Sequence, residues 1–570
     1  MDLVDMIVDI PGEIIELIFK NLKDMDDAQS QNDMEMDDDR CSEEEEEDEE
    51  DTDTEDDEDE VGEGSVDEDQ AEGQRELSTR NSLLSCALSC KIFSKVALGF
   101  IWHTVTGWGP LLKLIPGCQI VRFAYSLEGE LNDASLERFD FYARMVKKFI
   151  LQDQEWEERF TRKAGIRVKD SVYRHLSLAR PRPFPSLTSF ECFYERLPRA
   201  MMLCVSPHLL EAAFVTSQSS NFTSRTEIRH YLDAVKQEAP LFRKLEISSD
   251  RRVLSLASLI HLDVDRFIES IALEYSVDET FLAWSHLTHL EVLKLNEPDL
   301  LPKHLGLINT VEPSDFPKRL KALEISVQRD TVINVFRLLE LCQYSPVESF
   351  QLTGRDLHRE YNKIFTAVAS GWSESLTSLS ITTVLIQDAF EIDSASPISD
   401  FLNPLYSLRE LRILRLWSLG EVFYVRDKDI RNVCNAWPNL AELVLDADPV
   451  SGSESSQRSP TTASFHILAQ HCPMLNNLRI PFHKSVPSSS VALPSSTVIS
   501  LPHNLERLQL AVRGKLTKAH TSRLARHLDL AFPNLKSVVV GHNASESSKA
   551  IMKLLKSSQI ARRRQVETAK

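Results

Sequence analysis

Few residues in the sequence have the types and spacing that could perform chemistry. His471 and Cys472 are neighbours and are the residue types of a base and a nucleophile. Cys472 comes directly before Pro473 at the end of a predicted helix, so we expect it to pack in a core. The motifs GxGxxG, GxxxxGK[ST], HExxH and GxSxG do not occur, and the nine cysteines form no CxxC pair. The sequence therefore predicts no catalytic residue, no metal site and no cofactor, which indicates a protein that is not an enzyme.

Ser42 and Thr54 are candidates for a different chemistry, phosphorylation. Ser42 precedes EEEEE and Thr54 precedes EDD, which is typical of acidophilic-kinase sites. Both lie in the segment 24–76, which has 30 acidic and two basic residues, whereas the rest of the chain has a net charge of +5. We expect this segment to be disordered, because like charges repel and little apolar area is present. Three roles stay open for it: a tolerated solvated loop, regulation by phosphorylation, or docking on a basic face of the chain or of a partner.

From residue 146 onward, one apolar pattern recurs: an apolar residue, two others, a second apolar residue, one other and a third apolar residue. Each match predicts a short strand whose alternate side chains face one core. Thirteen matches occur in order, with a mean spacing of about 32 residues. Their first positions are Val146, Leu187, Leu209, Phe242, Leu290, Leu320, Val347, Leu376, Leu411, Leu440, Leu475, Leu505 and Leu535.

A helical stretch usually precedes each match, and a proline often lies one to three residues before it. Proline cannot continue a helix, and it biases its predecessor toward extended structure. The prolines are Pro207, Pro240, Pro317, Pro346, Pro438, Pro473, Pro502 and Pro533. A helix, a proline turn and a strand at a regular period predict an α/β solenoid, a leucine-rich-repeat array with one helix and one short parallel strand per repeat.

Two apolar segments on either side of the acidic run predict one small helical module in two pieces. Residues 10–22 read IPGEIIELIFKNL, and residues 80–105 read RNSLLSCALSCKIFSKVALGFIWHTV. In both, apolar side chains cover a wider arc than the single stripe of a surface helix. A module of this size usually needs support to stay folded. It therefore packs on the repeats or binds another chain, and the residues alone leave both possibilities open.

The two pieces resemble an F-box. A Leu-Pro-x-Glu opening, here Ile10-Pro11-Gly12-Glu13, is followed by an apolar helix, and the second half ends near an aromatic residue and a Trp, here Phe93 and Trp102. The combination with the repeats resembles F-box leucine-rich-repeat proteins. Carried over by position, the residues that would bind the adaptor are Pro11, Glu13, Ile14, Ile18, Leu22, Leu84, Cys90, Phe93 and Trp102. Phe93 departs from the Trp or Tyr common in the family, and the acidic insert is a larger departure.

The resemblance implies the partners and the organisation of the chain. In the family, the F-box binds the Skp adaptor of a cullin-RING ubiquitin ligase, and the repeats hold a protein substrate. The F-box would be in two halves, residues 1–23 and 77–106, with the acidic insert 24–76 between them. Linker helices would follow at 107–145, the repeats at 146–545 and a C-terminal tail at 546–570. The alternative is a repeat scaffold with a degenerate F-box that binds proteins without delivering ubiquitin.

The remaining sequence features concern the location of the protein. The N-terminus lacks the features of a signal peptide, no apolar run is long enough to span a bilayer, and the cysteines show no disulfide framework. We therefore expect an intracellular protein, in the cytoplasm, the nucleus or both, without membrane contact. The repeats show no dense basic and aromatic patch, so nucleic acid is not an expected partner.

Overall fold

A computed structural model of the chain describes residues between 82 and 569. The described ranges are 82–89, 91–129, 131–152, 167–193, 199–216, 223–249, 268–274, 287–296, 316–327, 332–355, 357, 360–384, 396–417, 423–447, 459–482, 503–512, 516–541 and 546–569. The chain forms two compact units. The first contains Met1–Tyr194, Pro198–Leu210 and Gln237–Leu241, and the second contains Glu195–Leu197, Glu211–Lys236 and Phe242–Lys570.

The described elements before residue 211 are both helices and strands. Residues 82–89 are helical. The helices that follow are α1 Lys91–Ile101, α2 Gly109–Leu112, α3 Asp133–Ala143, α4 Asp170–Ala179 and a 3₁₀ helix, Arg199–Cys204. The strands are β1 Thr104–Thr106, β2 Cys118–Val121, β3 Ala124–Leu127, β4 Lys148–Gln152, β5 Arg167–Val168 and β6 Ser189–Phe193.

Strands β1, β4 and β6 of the first unit lie side by side and are parallel. Val105 pairs with Phe149, and Phe149 pairs with Phe190, so one apolar row crosses all three strands. Trp108 and Phe184 pack on Phe149, with ring centroids 5.1 and 4.8 Å from the Phe149 ring. The parallel sheet therefore begins at Thr104, inside the range 77–106 that the sequence assigned to the F-box.

Residues 107–145, predicted as linker helices, contain α2 and α3 and also a β-hairpin. Strands β2 and β3 pair antiparallel, and Val121 faces Ala124 across a two-residue turn. The turn residues Arg122 and Phe123 have φ values of 51° and 61°. Two-residue hairpins of this kind usually place Asn or Gly at these positions. Because Arg and Phe occupy them here, the sequence carries no turn signal for the hairpin.

From residue 211 onward, the described elements form the main array. The strands are β7 Glu211–Thr216, β8 Lys244–Ser249, β9 Ser270–Glu274, β10 Val292–Asn296, β11 Ala322–Val327, β12 Ser349–Arg355, β13 Ser378–Val384, β14 Ser396–Pro397, β15 Ile413–Trp417, β16 Phe423–Tyr424, β17 Glu442–Leu445, β18 Asn477–Pro481, β19 Arg507–Ala511 and β20 Ser537–Val540. The helices are α5 Thr223–Glu238, α6 Val332–Cys342, α7 Tyr361–Trp372, α8 Ile398–Leu402, α9 Asp427–Ala436, α10 Thr462–His471, α11 Lys518–Ala531 and α12 Glu546–Ala569, with a 3₁₀ helix, Asn403–Ser407.

The strands of this array pair in chain order, and every pair is parallel. The order is β7-β8-β9-β10-β11-β12-β13-β15-β17-β18-β19-β20. The short strands β14 and β16 pair separately. Each repeat therefore contacts its neighbours along the chain, which is the arrangement of a solenoid. The predicted α/β array of parallel strands is confirmed.

The apolar positions of the thirteen pattern matches form the core. None of them is more than 5% exposed. Register explains this burial: Leu323 pairs with Phe350 and Phe350 pairs with Leu379, so equivalent positions stack from strand to strand. Residues between the apolar positions point to the opposite face of the sheet, because side chains alternate along a strand.

Strand β9 belongs to a further repeat, which is not among the thirteen matches. Ile268 and Ile271 are buried, and Leu273 pairs with Leu295 of β10. The three residues have the same spacing as the thirteen matches. The long interval between Phe242 and Leu290 therefore contains two repeats.

The proline turns connect helices to strands as predicted. Trp437, Cys472 and Phe532 each end a helix with φ between −123° and −133° and ψ between 66° and 74°. A proline follows each of these residues and disfavours the helical conformation there. Three residues later, Leu440 donates its N–H to the Trp437 carbonyl at 3.2 Å, and the other two turns repeat this bond.

Residues 546–570, predicted as a tail, contain a long helix that covers the last strand. Ile551 and Leu555 of α12 are completely buried. The Ser548 hydroxyl accepts a hydrogen bond from the Val540 N–H at 2.9 Å, and the Gln559 amide donates to the Leu535 carbonyl at 3.0 Å. Helix α12 is therefore a capping element of the array.

Candidate protein-binding surfaces

The described part of the helical module has a very small core. Ala87 and Ala97 are buried, and half-buried apolar side chains surround them: Leu83, Cys86, Phe93, Val96, Leu98, Phe100 and Ile101. Two alanines bury little apolar area, so this cluster contributes much less to stability than a repeat does. The wide apolar arc of the sequence is therefore only partly used inside the module.

Leu84 and Leu88 belong to the part of the apolar arc that the small core does not bury. They lie four residues apart in the helical segment 82–89, and residues with this spacing share one side of a helix. Leu84 is 46% exposed and Leu88 is 79% exposed. Full burial of a leucine side chain stabilises a complex by about 1.5–3 kcal/mol. These two side chains form an apolar surface that a partner could cover, and we call it the Leu84/Leu88 surface.

Only three of the predicted adaptor-binding residues lie among the described residues: Leu84, Phe93 and Trp102. Phe93 is half-buried in the cluster around Ala97. Trp102 is half-buried against Tyr142, with ring centroids 4.6 Å apart. Phe93 and Trp102 therefore contact other residues of the chain, whereas the Leu84 side chain is exposed to solvent.

The other predicted site residues lie outside the described residues. They are Pro11, Glu13, Ile14, Ile18, Leu22 and Cys90 for the adaptor, and Ser42 and Thr54 for phosphorylation.

The end of the module is joined directly to the parallel sheet. The His103 carbonyl accepts hydrogen bonds from the N–H groups of Lys147 and Lys148, both at 2.9 Å. Strand β1 follows at Thr104 and pairs with β4. Sequence reasoning missed this strand, because Val105 is an apolar match while the third position of the pattern is Gly107. The backbone hydrogen bonds of the parallel sheet therefore begin at His103, directly after the helices of the module.

The second candidate surface is the face of the array opposite its core. Charged side chains on this face pair between neighbouring strands: Lys294 with Glu324 at 2.7 Å, and Arg415 with Glu442 at 2.8 Å. Similar pairs bracket the sheet at its amino-terminal edge, where Lys321 binds Glu291 and Lys536 binds Glu506. Pairs as exposed as Lys536–Glu506 each contribute little to stability. Each of these pairs places a positive charge beside a negative one, so the pair has no net charge.

Trp417, Asp446 and Arg479 form a rigid group on this face. The Arg479 guanidinium lies 4.7 Å from the centre of the Trp417 ring and 2.7 Å from the Asp446 carboxylate. Arg479 is 6% exposed. Trp417 lies in β15 and Arg479 in β18, and Asp446 directly follows β17, the strand between them. Trp and Arg are the residue types that dominate binding energy in protein interfaces. Sequence reasoning did not select them, although a Trp directly after the apolar positions of one repeat and an Arg between those of another were a usable signal.

The amino-terminal edge of the array carries an acidic depression. Its volume is about 520 Å³. Three glutamates line it, Glu348, Glu374 and Glu410, together with Pro346, Ser375 and Thr377. Its charge favours Lys or Arg side chains of a partner.

The described ranges contain no candidate metal site. No group of three or more His, Cys, Asp or Glu there could hold a metal ion. Cys472, beside His471 in the sequence, is completely buried, and its thiol points to the Trp437 carbonyl. None of the helices between residues 82 and 569 for which the structure gives a description is long and apolar enough to cross a membrane.

Comparisons with known proteins add a distant structural likeness. No family model matches the sequence, and no curated protein matches it. Among solved structures, the chain is similar to a chain of the crystal structure of the Rad7 and Elc1 complex in yeast. The sequence identity is 14%, the TM-score is 0.32, and the match covers 80% of this chain and 96% of that chain. At this TM-score the likeness carries no weight for fold or function, which rest on the residues described above.

Proposed function

We propose that the chain is the substrate-recognition subunit of an SCF-type ubiquitin ligase. The helical module of residues 10–22 and 80–105 binds a Skp-type adaptor, and through it the cullin-RING assembly. The repeats bind a protein substrate. The chain contributes no catalytic residue of its own, and its function is to bring the substrate to the ligase.

The observation that carries this proposal is the exposure of Leu84 and Leu88. A helical segment that belongs to an F-box-like sequence presents two leucines to solvent on one side, four residues apart. An amphipathic helix that lays such residues in an apolar groove is a common mode of protein recognition. The free energy gained by covering them also supports a module whose own core is small.

Binding of a recombinant Skp-type adaptor to the full chain tests the proposal. We expect Leu84→Asp/Leu88→Asp to weaken binding about 100-fold, because the complex would lose two buried leucine side chains and gain two carboxylates in their place. The matched control is Leu178→Asp, because Leu178 in α4 is also 79% exposed but lies outside the module. Isothermal titration calorimetry measures both variants against the wild-type chain.

The proposal has two ways to fail. No adaptor binding by the wild-type chain at any salt concentration would refute it. Binding that survives both Leu84→Asp/Leu88→Asp and a second variant, Pro11→Ala/Ile14→Asp, would show that the adaptor contacts a different part of the chain.

One observation favours the alternative, a repeat scaffold that does not deliver ubiquitin. Phe93 and Trp102 have partners within the chain, since Phe93 packs near Ala97 and the Trp102 ring packs against the Tyr142 ring. These two positions of the F-box pattern are then structural. A chain that binds partners through its repeats but never co-purifies with the adaptor would establish this function instead.

A further inference from the structure

The basic charge of this chain is concentrated in its last two helices. Outside the acidic segment 24–76, the chain has a net charge of +5. Helices α11 and α12 together contain nine Lys and Arg and three Asp and Glu, a net charge of +6. These two helices therefore account for the entire basic excess. The rest of the chain outside the segment 24–76 is close to neutral.

Most of these charges lie on the solvent side of the two helices. Helix α11 buries Leu524, Ala525 and Leu528, and α12 buries Ile551 and Leu555. Six of the exposed basic residues on the other sides form a surface that we call the basic helix face: Lys518, Arg523, Arg526, Lys549, Lys553 and Lys556. The three lysines of α12 are spaced four and three residues apart, so they share one side of that helix.

The charges on the basic helix face are available to a partner. Helix α11 also carries Asp529, but that carboxylate binds Arg562 of α12. Among the residues for which the structure gives side chains, none of the six has a carboxylate partner, in contrast to Lys294, Lys321 and Lys536 on the strands. Uncompensated like charges on adjacent helices repel each other, and an acidic ligand would remove that repulsion.

The same chain contains a ligand of the required charge. The segment 24–76 has a net charge of −28. We propose that the basic helix face of α11 and α12 is the docking surface for this acidic segment. The association is electrostatic, and phosphorylation at Ser42 or Thr54 would strengthen it by adding negative charge. The proposal is independent of adaptor binding, so either one can fail without the other.

Carbodiimide cross-linking of the full chain, followed by peptide mass spectrometry, tests the proposal, since the reagent joins carboxylates to lysine amines. We expect cross-links from 24–76 in the monomer fraction to concentrate on Lys518, Lys549, Lys553 and Lys556. They should decrease when the salt concentration rises from about 0.1 M to about 1 M, because the screening length falls from about 10 Å to about 3 Å.

Charge reversal provides the decisive comparison. In Lys553→Glu/Lys556→Glu, cross-links at the unchanged Lys518 and Lys549 should fall about tenfold, because each lost pair contributes a few-fold. The matched control, Lys318→Glu/Lys428→Glu, changes two exposed lysines of the same array outside the basic helix face and should leave those cross-links unchanged. A neutral variant, Lys553→Gln/Lys556→Gln, should give an intermediate value, and circular dichroism confirms that each variant is folded.

Three outcomes would overturn the proposal. Cross-links spread over all exposed lysines would show that the segment has no preferred site. Cross-links found only in a dimer fraction would show that the occupant is a second copy. Binding of a duplex DNA oligonucleotide that Lys553→Glu/Lys556→Glu abolishes, without any cross-link from 24–76, would assign the basic helix face to nucleic acid.

Discussion

Leucine has opposite roles in the repeats and in the helical module. Leu443 of β17 is completely buried between neighbouring strands, whereas Leu88 of the module is 79% exposed. In the repeats, each leucine of the pattern occupies one of three apolar positions at a strand, and the equivalent positions of the neighbouring repeats cover it. In the module, leucines occupy a wider arc than its small core can bury. The same residue type therefore stabilises the fold in one region and forms a candidate binding surface in the other.

Alanine substitutions at these two leucines measure the comparison directly. Leu443→Ala should lower the free energy of unfolding by about 2–5 kcal/mol, because it leaves a cavity in a closely packed core. Leu88→Ala should change it by less than about 0.5 kcal/mol, as at other exposed positions. Urea denaturation followed by circular dichroism distinguishes these values. Equal effects would show that Leu88 is a core residue and would remove it from the adaptor interface.

Tyr361 extends the comparison to a polar group in the core of the repeats. It is 1% exposed in α7, and its hydroxyl is hydrogen-bonded to the buried Thr383 hydroxyl of β13. Burial raises the pKa of Tyr361 above its ordinary value, so the phenol stays neutral. Tyr361→Phe leaves Thr383 without this partner and should cost about 1–3 kcal/mol of unfolding free energy. Tyr344→Phe is the control, because Tyr344 is 69% exposed. An equally small effect of both changes would show that the bond contributes nothing.

The smallest expected effect concerns pH and the histidines of the last repeats. Burial lowers the pKa of His466 and His527, whose facing ring nitrogens are 3.4 Å apart, and it also lowers the pKa of His503. The unfolded chain therefore binds protons at a higher pH than the folded chain does. The stability that these residues provide is present above about pH 6.5 and is lost as the pH falls below it.

Thermal unfolding of the full chain between pH 7.5 and pH 5 measures this effect. The melting temperature should fall with pH, and the fall should be smaller in His466→Gln/His527→Gln. The control is His471→Gln, because His471 is exposed. An unchanged pH dependence in the double variant would mean that these two histidines titrate alike in the folded and unfolded chain.

The sequence predicts the repeats well because their signal is redundant. Each of the thirteen matches combines three apolar positions, and register between strands requires the same positions in every repeat. Strand β9 is not among the thirteen matches, although Ile268 and Ile271 fit the pattern. Strand β1 was not predictable, since Val105 pairs with Phe149 but Gly107 provides no side chain at the third position.

The candidate surfaces were harder to predict, because exposure depends on what the fold leaves uncovered. The apolar arc of 80–105 predicted either packing on the repeats or binding to another chain. Only the structure separates the exposed Leu84 from Phe93 and Trp102, which have partners in the chain. The group of Trp417, Asp446 and Arg479 forms across three strands that are up to 62 residues apart in sequence. Proximity of this kind follows from the register of the sheet, which cannot be read from a single sequence.

The contacts between α12 and β20 limit how far the parallel sheet can grow. An uncovered edge strand offers unpaired N–H and carbonyl groups to any other strand, and this is a common route to aggregation. Here Ser548 occupies the Val540 N–H and Gln559 occupies the Leu535 carbonyl. The strand therefore cannot accept a further strand along its full length while α12 is in place. An engineered chain with additional repeats would need them inserted before β20, so that this helix still closes the array.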